Sequence, residues 1–96
     1  MSAIELITPA SVSEEGATTT FPAGKYRPMY EDDGGYYFEA PSKVLVDDVG
    51  VYGFEGGVYI RRGENAPTEW YLIRPNGRRS MGKFKTPPTY KKLVTH

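Results

Sequence analysis

Residues 32–38 read DDGGYYF and residues 54–60 read FEGGVYI. In each stretch a pair of glycines is followed by three residues that favour β-strands, and the middle one is tyrosine. Double glycines of this kind suit turns or bulges beside a strand. The first stretch places three aromatic rings side by side at positions 36–38, which raises the question of which rings fill a core and which face outward.

The alternation of side chains along a strand predicts an answer. Neighbouring side chains point to opposite faces, so Val58 and Ile60 share a face, and as aliphatic residues they are predicted to face the core. Tyr59 is then predicted to point outward. The same rule predicts inward side chains at Tyr26, Tyr30, Tyr36, Phe38, Trp70 and Leu72. It predicts outward side chains at Lys25, Arg27, Tyr37, Tyr71 and Ile73.

From residue 17 onward, short runs of strand-forming residues alternate with turn residues. The runs are ATTTF, KYRPMY, YYFEA, KVLVD, GVYIRR, WYLIR, SMGKFK and YKKLVT. Such spacing is typical of an all-β sandwich or barrel. We predict a small antiparallel meander of about five to seven short strands that closes into an SH3-like or OB-like barrel, since closure removes exposed edge strands.

The 96 residues suit one domain. Residues 1–16 are predicted to form a short N-terminal arm, either with a strand at residues 4–7 or with a helical turn. The helical turn is suggested by Thr8, which could cap it, and by Pro9, which suits its first position. Residues 17–96 are predicted to form a single small β-barrel domain.

Two further local features have structural consequences. The stretch RPNGRR predicts a β-hairpin, because Asn76 and Gly77 both accept the positive φ angles of a type I′ turn. Pro28 lacks a backbone N–H, so the strand KYRPMY is predicted to lie at a sheet edge or to be interrupted there.

The composition offers few of the residue types that catalysis and metal binding require. The chain has no cysteine, and its one histidine is His96, so thiolate chemistry, a Ser-His pair and a zinc site are not expected. The carboxylate pairs at residues 32–33 and 47–48 are adjacent, and adjacent strand residues point apart. The stretch EDDGG also lacks the ligand spacing of a calcium loop. We expect no enzymatic activity, no cofactor and no metal.

The N-terminal residues MSAIELITPASVSEEG lack the basic region and apolar run of a signal peptide. No run of apolar residues approaches the length needed to cross a bilayer. On these grounds we expect a soluble, cytoplasmic protein.

The net charge of zero conceals a strong segregation. Residues 1–48 carry nine acids and three bases, a net charge of −6, whereas residues 49–96 carry three acids and nine bases, a net charge of +6. Such segregation suggests a charged partner or head-to-tail self-association through the oppositely charged halves. The alternative is that the fold interleaves the two halves and pairs their charges.

The leading functional hypothesis is a non-catalytic β module that binds another protein or takes part in assembly. Tyrosine and arginine are enriched at interface hot spots. The predicted contact patch comprises Tyr37, Glu39, Tyr59, Arg61, Tyr71 and Arg74. The alternative for any one tyrosine is that it is simply a good strand residue that pairs with its cross-strand neighbours.

Two other functions remain open. The first is a barrel that binds nucleic acid with its basic C-terminal half, since bases stack on aromatic rings while cations neutralise phosphates. Its candidate residues are Arg74, Arg78, Arg79, Lys83, Lys85, Lys91 and Lys92. The neutral net charge and a pI near 6.6 argue against it, because dedicated nucleic-acid binders are usually strongly basic. The second is a phage- or secretion-associated accessory or inhibitor protein.

Overall fold

The computed structural model describes residues 2–14, 17–42, 44–46, 52–74 and 76–93, and every regular element in these ranges is a β-strand. The strands are β1 (Ile4–Leu6), β2 (Ala10–Glu14), β3 (Ala17–Phe21), β4 (Gly24–Glu31), β5 (Gly35–Glu39), β6 (Val44–Val46), β7 (Tyr52–Arg61), β8 (Glu69–Ile73), β9 (Arg79–Lys83) and β10 (Tyr90–Lys92). In the described part of the chain, no helix is long and apolar enough to cross a membrane.

The longest strand, β7, organises the sheet. It pairs with β6 along its first residues, and further along it pairs with both β5 and β8. From β5 the order continues through β4 and β1 to β10, from β8 it continues to β9, and from β6 it continues through β3 to β2. All pairs between the described strands are antiparallel.

The all-β antiparallel prediction is confirmed, and each of the eight predicted runs contains a strand. There are ten described strands rather than five to seven, partly because the N-terminal segment supplies two of them. Within the described ranges, β2, β9 and β10 each pair with one neighbour. Closure into an SH3-like or OB-like barrel therefore stays a prediction.

The N-terminal segment is part of the sheet. Strand β1 lies between β4 and β10, with Ile4 opposite both Tyr26 and Lys92. The helical alternative is wrong for residues 10–14, because β2 pairs with β3 from Ala10 to Glu14. The decisive pattern is the two-residue alternation in which Ala10 is buried and Val12 packs against the core while the intervening serines are exposed.

One face of the sheet carries the hydrophobic core. Val58 and Ile60 are buried as predicted, at 0% and 4% exposure, and Tyr36 is half-buried against the same cluster. The core cluster comprises Ile4, Leu6, Ala10, Phe21, Tyr26, Phe38, Ala40, Val58, Ile60, Trp70, Leu72 and Phe84. The predicted inward positions of Tyr26, Phe38, Trp70 and Leu72 are therefore confirmed.

The prediction that Tyr30 faces the core is wrong, and a β-bulge explains why. Pro28 lies opposite Phe38, but the register then shifts so that Tyr30 lies opposite Tyr37. The extra residue, Met29, reverses the alternation and sends Tyr30 to the outer face. Pro28 lies at this interruption, and β1 pairs with β4 only at Gly24–Tyr26 within the described ranges, in agreement with the prediction made for the proline.

The predicted hairpin connects β8 to β9, but its loop is not the two-residue type. The N–H of Arg74 donates to the Arg78 carbonyl at 2.8 Å, and the N–H of Gly77 donates to the Arg74 carbonyl at 2.8 Å. Three residues therefore lie between Arg74 and Arg78, with Gly77 at φ +85°. A turn followed by a glycine in the left-handed region is the usual three-residue hairpin loop.

The second double glycine allows strands to approach β7 closely. A Cβ atom at Gly57 would overlap the Phe38 carbonyl oxygen of β5, and one at Gly56 would lie 2.5 Å from the Tyr71 carbonyl oxygen of β8. Both obstacles are backbone atoms of paired strands. Neither can move without disturbing the sheet.

We predict that Gly57→Ala lowers the free energy of unfolding by about 3 kcal/mol, because the new methyl group overpacks a rigid backbone contact. Gly63→Ala is the matched control, since Gly63 has a φ of +91° and open space around it. It should cost about 1 kcal/mol through backbone strain alone. Urea denaturation of both variants measures the difference, and equal losses would contradict the prediction.

Candidate functional site

Three tyrosines form a second cluster on the face opposite the core. This tyrosine cluster consists of Tyr37 on β5, Tyr59 on β7 and Tyr71 on β8. Tyr37 lies directly opposite Tyr59 in the register. The ring centroid of Tyr37 is 4.7 Å from that of Tyr59 and 5.1 Å from that of Tyr71. The predicted direction of these side chains, away from the core, is confirmed.

The prediction that these three side chains are exposed to solvent is wrong. Tyr37, Tyr59 and Tyr71 are only 3%, 4% and 5% exposed. They cover one another, and Ile73 packs beside them. Tyr30 stacks on Tyr37 with 4.4 Å between ring centroids and 17° between planes. A side chain that points away from one core can therefore be buried in another when its neighbours across the strands are equally large.

The Asp32 carboxylate holds the cluster at one end. Its Oδ2 accepts a hydrogen bond from the Tyr37 hydroxyl at 2.9 Å, and its Oδ1 accepts one from the Tyr59 hydroxyl at 3.2 Å. Oδ1 also accepts hydrogen bonds from the backbone N–H groups of Gly34 and Gly35. The loop of the first double glycine thus ties β4, β5 and β7 together through one carboxylate.

Glycine at positions 34 and 35 makes room for this arrangement. A Cβ at Gly34 would overlap the Tyr59 hydroxyl, and a Cβ at Gly35 would overlap the Ile60 carbonyl oxygen. The hydroxyl of Tyr59 can reach Asp32 only because the side-chain space above the turn is empty. The first double glycine therefore belongs to the site as well as to the fold.

These contacts shift the pKa values of the groups involved. Burial alone would raise the pKa of Asp32, but the hydrogen bonds from Tyr37, Gly35, Gly34 and Tyr59 outweigh it and lower the pKa. Burial, followed by the hydrogen bond to Asp32 and its negative charge, raises the pKa of Tyr37 to about 12. The pKa of Tyr59 is raised by burial and by Asp32, and burial also raises the pKa of Tyr71.

An exposed patch lies on top of the cluster. We call it the outer patch and define it as Tyr30, Arg79 and Met81. Arg79 Nη1 donates to the Tyr37 hydroxyl at 3.1 Å, and its guanidinium lies 4.9 Å from the Tyr37 ring and 5.6 Å from the Tyr30 ring. The Sδ atom of Met81 lies 3.8 Å from the Tyr37 hydroxyl oxygen. Tyr30 and Met81 nevertheless remain 47% and 43% exposed.

The other residues of the predicted contact patch have partners within the protein. Glu39 pairs with Arg27 at 3.2 Å. Arg61 pairs with the buried Glu69 at 2.8 Å between Nε and Oε2. The Nε of Arg74 donates to the Ser80 hydroxyl at 3.1 Å.

Sequence reasoning missed Asp32, Tyr30 and Met81 as members of the site. The bulge in β4 concealed Tyr30, since Pro28 predicted an interruption of the strand but not the extra residue that reverses the alternation after it. Asp32 precedes a double glycine by two residues, and a carboxylate at that position suits capping of the following N–H groups. Met81 could have been found by extending the alternation rule to β9.

The basic residues proposed to contact nucleic acid are divided between two edges of the sheet. Five of them lie on or next to the hairpin of β8 and β9: Arg74, Arg78, Arg79, Lys83 and Lys85. The other two, Lys91 and Lys92, lie on β10, which pairs with β1 at the other end of the strand order. Arg79 is also directed onto the tyrosine rings.

The two charged halves meet at Arg62. Its Nη2 contacts the Glu31 carboxylate at 3.0 Å and the Asp32 carbonyl at 2.8 Å. Its guanidinium also lies 5.1 Å from the Tyr36 ring. The fold therefore pairs opposite charges from the two halves at this point, as the interleaving alternative requires.

The polar groups of this site are bonded to the chain itself. Asp32 accepts four hydrogen bonds from the chain itself, and the raised pKa of Tyr37 makes it a weaker acid than free tyrosine. Among the described residues, no three His, Cys, Asp or Glu side chains gather closely enough to hold a metal ion. The closely packed tyrosine rings, hydrogen-bonded to Asp32, form a rigid group.

We predict that stability falls as the pH rises from about 10 towards 12, because the folded state holds the Tyr37 proton more tightly than the unfolded chain does. The contribution is complete below the ordinary tyrosine pKa of 10 and is lost as the pH approaches the raised value. Denaturation across this range, followed by circular dichroism, measures it. Tyr37→Phe should show a shallower pH dependence, and an identical slope in both proteins would contradict this account.

We also predict that Asp32→Asn destabilises the protein at neutral pH, since the amide nitrogen cannot accept the Tyr37 hydrogen bond. Because the pKa of Asp32 is lowered, its contribution is present above the ordinary value of 3.8 and disappears as the pH falls below it. The gap between wild type and variant should therefore close in acid. Asp33→Asn is the matched control, and a loss of the same size there, or a gap independent of pH, would refute the role of Asp32.

The similarity comparisons assign no function to this protein. No family model matches the chain, and the comparisons with curated proteins and with solved structures found no match. The contacts of the tyrosine cluster and of the outer patch above it therefore carry the functional conclusion.

Proposed function

We propose that this protein is a non-catalytic β module that binds another protein through the outer patch and its surroundings. The observation that carries this proposal is the state of Tyr30, which is 47% exposed yet fixed by stacking on the buried Tyr37. An aromatic ring that is both accessible and immobilised is a typical anchor of a protein interface.

The support beneath Tyr30 lowers the cost of binding. Ordering a flexible side chain at an interface costs about 0.5–1.5 kcal/mol. Here Arg79 lies within 5.6 Å of the Tyr30 ring and donates to Tyr37, and Tyr37 is in turn held by Asp32. The patch is thus ordered before a partner arrives.

The composition of the patch also fits a protein partner. Tyrosine, arginine and methionine are enriched in interfaces, whereas lysine and glutamate are depleted. In this proposal Tyr37, Tyr59 and Tyr71 form the buried base of the binding surface, and Glu39, Arg61 and Arg74 belong to its polar rim. Closure into an SH3-like or OB-like barrel, a common scaffold for such surfaces, is part of the proposal.

The buried state of the cluster determines which variants can test the proposal. Exchange of Tyr37, Tyr59 or Tyr71 for serine would empty a packed cluster and cost about 3–5 kcal/mol in stability. Loss of binding in such variants would report unfolding. Changes confined to the exposed side chains avoid this ambiguity.

We predict that the double variant Tyr30→Ser/Met81→Ser keeps its fold but weakens binding of its partner protein at least about tenfold, because it removes the accessible anchors. Ile7→Ser is the matched control, since Ile7 is an equally exposed apolar residue at 44% and lies beyond β1. Affinity capture from nuclease-treated lysate of the source cells identifies the partner, and titration of the purified partner measures the affinity.

Three outcomes would overturn the proposal. The first is equal binding by the double variant and the wild type. The second is retention of nucleic acid in place of protein, with affinity that falls steeply as salt rises. The third is salt-sensitive self-association in light scattering with no other protein bound, which would assign the surface to copies of this chain.

A further inference from the structure

A groove lies between β2 and β9, on the side of β9 that faces away from β8. It has a volume of about 320 Å³ and is lined by residues of β2 and β9, with Trp70 of β8 and Lys85 also contributing. Within the described ranges, β2 pairs only with β3 and β9 only with β8. The groove therefore lies between two strands that each have one unpaired edge.

The hydrogen-bond pattern shows which backbone groups of β9 face this edge. Phe84 N–H donates to the Thr68 carbonyl at 2.9 Å, and Arg74 N–H donates to the Arg78 carbonyl at 2.8 Å. Hydrogen-bonded and non-bonded pairs alternate in an antiparallel ladder. By this alternation Gly82 bonds to β8, whereas the N–H and C=O groups of Met81 and Lys83 point away from β8 towards the unpaired edge.

Two further features indicate the chemistry of an occupant. Lys83 and Lys85 line the groove, and no acidic side chain lines it among the described residues. Trp70 is 4% exposed, and its Nε1 is buried without a hydrogen-bond partner among the described residues. An unpaired buried donor is costly, and a peptide carbonyl or carboxylate oxygen is its natural acceptor.

We propose that this groove binds an extended acidic peptide segment of a partner protein, which adds to β9 as a further strand. The exposed main-chain groups of Met81 and Lys83 supply hydrogen bonds to the peptide backbone, as in other cases of strand addition. Lys83 and Lys85 select acidic side chains by charge complementarity. Ser11 and Ser13 of β2 form the opposite wall.

A second copy of this chain does not fit the same edge. Antiparallel pairing of two β9 edges about Met81 would place Arg79 of one copy opposite Lys83 of the other. Like charges directly opposite each other destabilise a strand pair. Basic residues on an exposed edge are a common means of preventing self-pairing.

The groove is distinct from the surface of the proposed function, although Met81 contributes to both. The outer patch requires the side chains of Tyr30 and Met81, whereas the groove requires the backbone of β9 and the two lysines. Tyr30→Ser therefore tests only the first surface, and charge reversal at Lys83 and Lys85 tests the second.

Selection from a random dodecapeptide library on the immobilised protein tests the proposal directly. We expect enriched peptides to be rich in Asp and Glu and in β-branched residues. Their binding should change the fluorescence of Trp70, the single tryptophan of the chain, and should slow amide hydrogen exchange at Met81 and Lys83. Failure to enrich any peptide, enrichment of basic peptides, or binding without these two signals would overturn it.

Variants of β9 sharpen the test. Lys83→Glu/Lys85→Glu should weaken the selected peptides at least about tenfold and favour basic ones. Met81→Pro removes one N–H from the unpaired edge without breaking the β8–β9 ladder, and it should weaken binding about fivefold relative to Met81→Ala. Urea denaturation confirms that each variant is folded. Unchanged affinity in the folded lysine double variant would refute the proposal.

Discussion

The close approach of β5 and β8 to β7 is the constraint on which both faces of the sheet depend. At Gly57 the Phe38 carbonyl oxygen occupies the space that a side chain would fill. This approach places Phe38, Val58 and Trp70 beside one another on the core face. On the other face it brings Tyr37, Tyr59 and Tyr71 into ring contact. A side chain at position 57 would force β5 away from β7 and would separate both sets of side chains.

The tyrosine cluster is a second small core with a polar boundary. Each hydroxyl has a partner: Asp32 accepts from Tyr37 and Tyr59, and the Phe38 carbonyl accepts from Tyr71 at 3.1 Å. Buried polar groups that are fully hydrogen-bonded make a packed region rigid. The cluster thereby converts an otherwise solvated sheet face into a firm support for the few side chains that remain accessible above it.

The alternation rule predicted well which face of the sheet each side chain lies on, and it predicted poorly what covers each face. It placed Val58, Phe38 and Tyr59 correctly because side-chain direction follows from strand geometry alone. It failed for Tyr30, because Pro28 predicted an interruption but not its register shift, which is a property of the pairing with β5. The rule also predicted the direction of the Tyr37 side chain but not its burial, because the exposure of Tyr37 depends on residues distant in sequence, such as Arg79. The helical interpretation failed for residues 10–14 because local capping signals were outweighed by pairing with β3.

The pairing of β1 with both β4 and β10 has a consequence for how the chain can be connected. The Leu93 N–H donates to the Ala3 carbonyl at 2.9 Å, so segments from opposite ends of the sequence leave the sheet side by side. Closing this contact encloses residues 3–93, and long-range closure of this kind slows folding. The same proximity suits a permuted arrangement of these strands, in which a short linker joins Leu93 to Ala3 and the chain is opened at the exposed turn around Gly63.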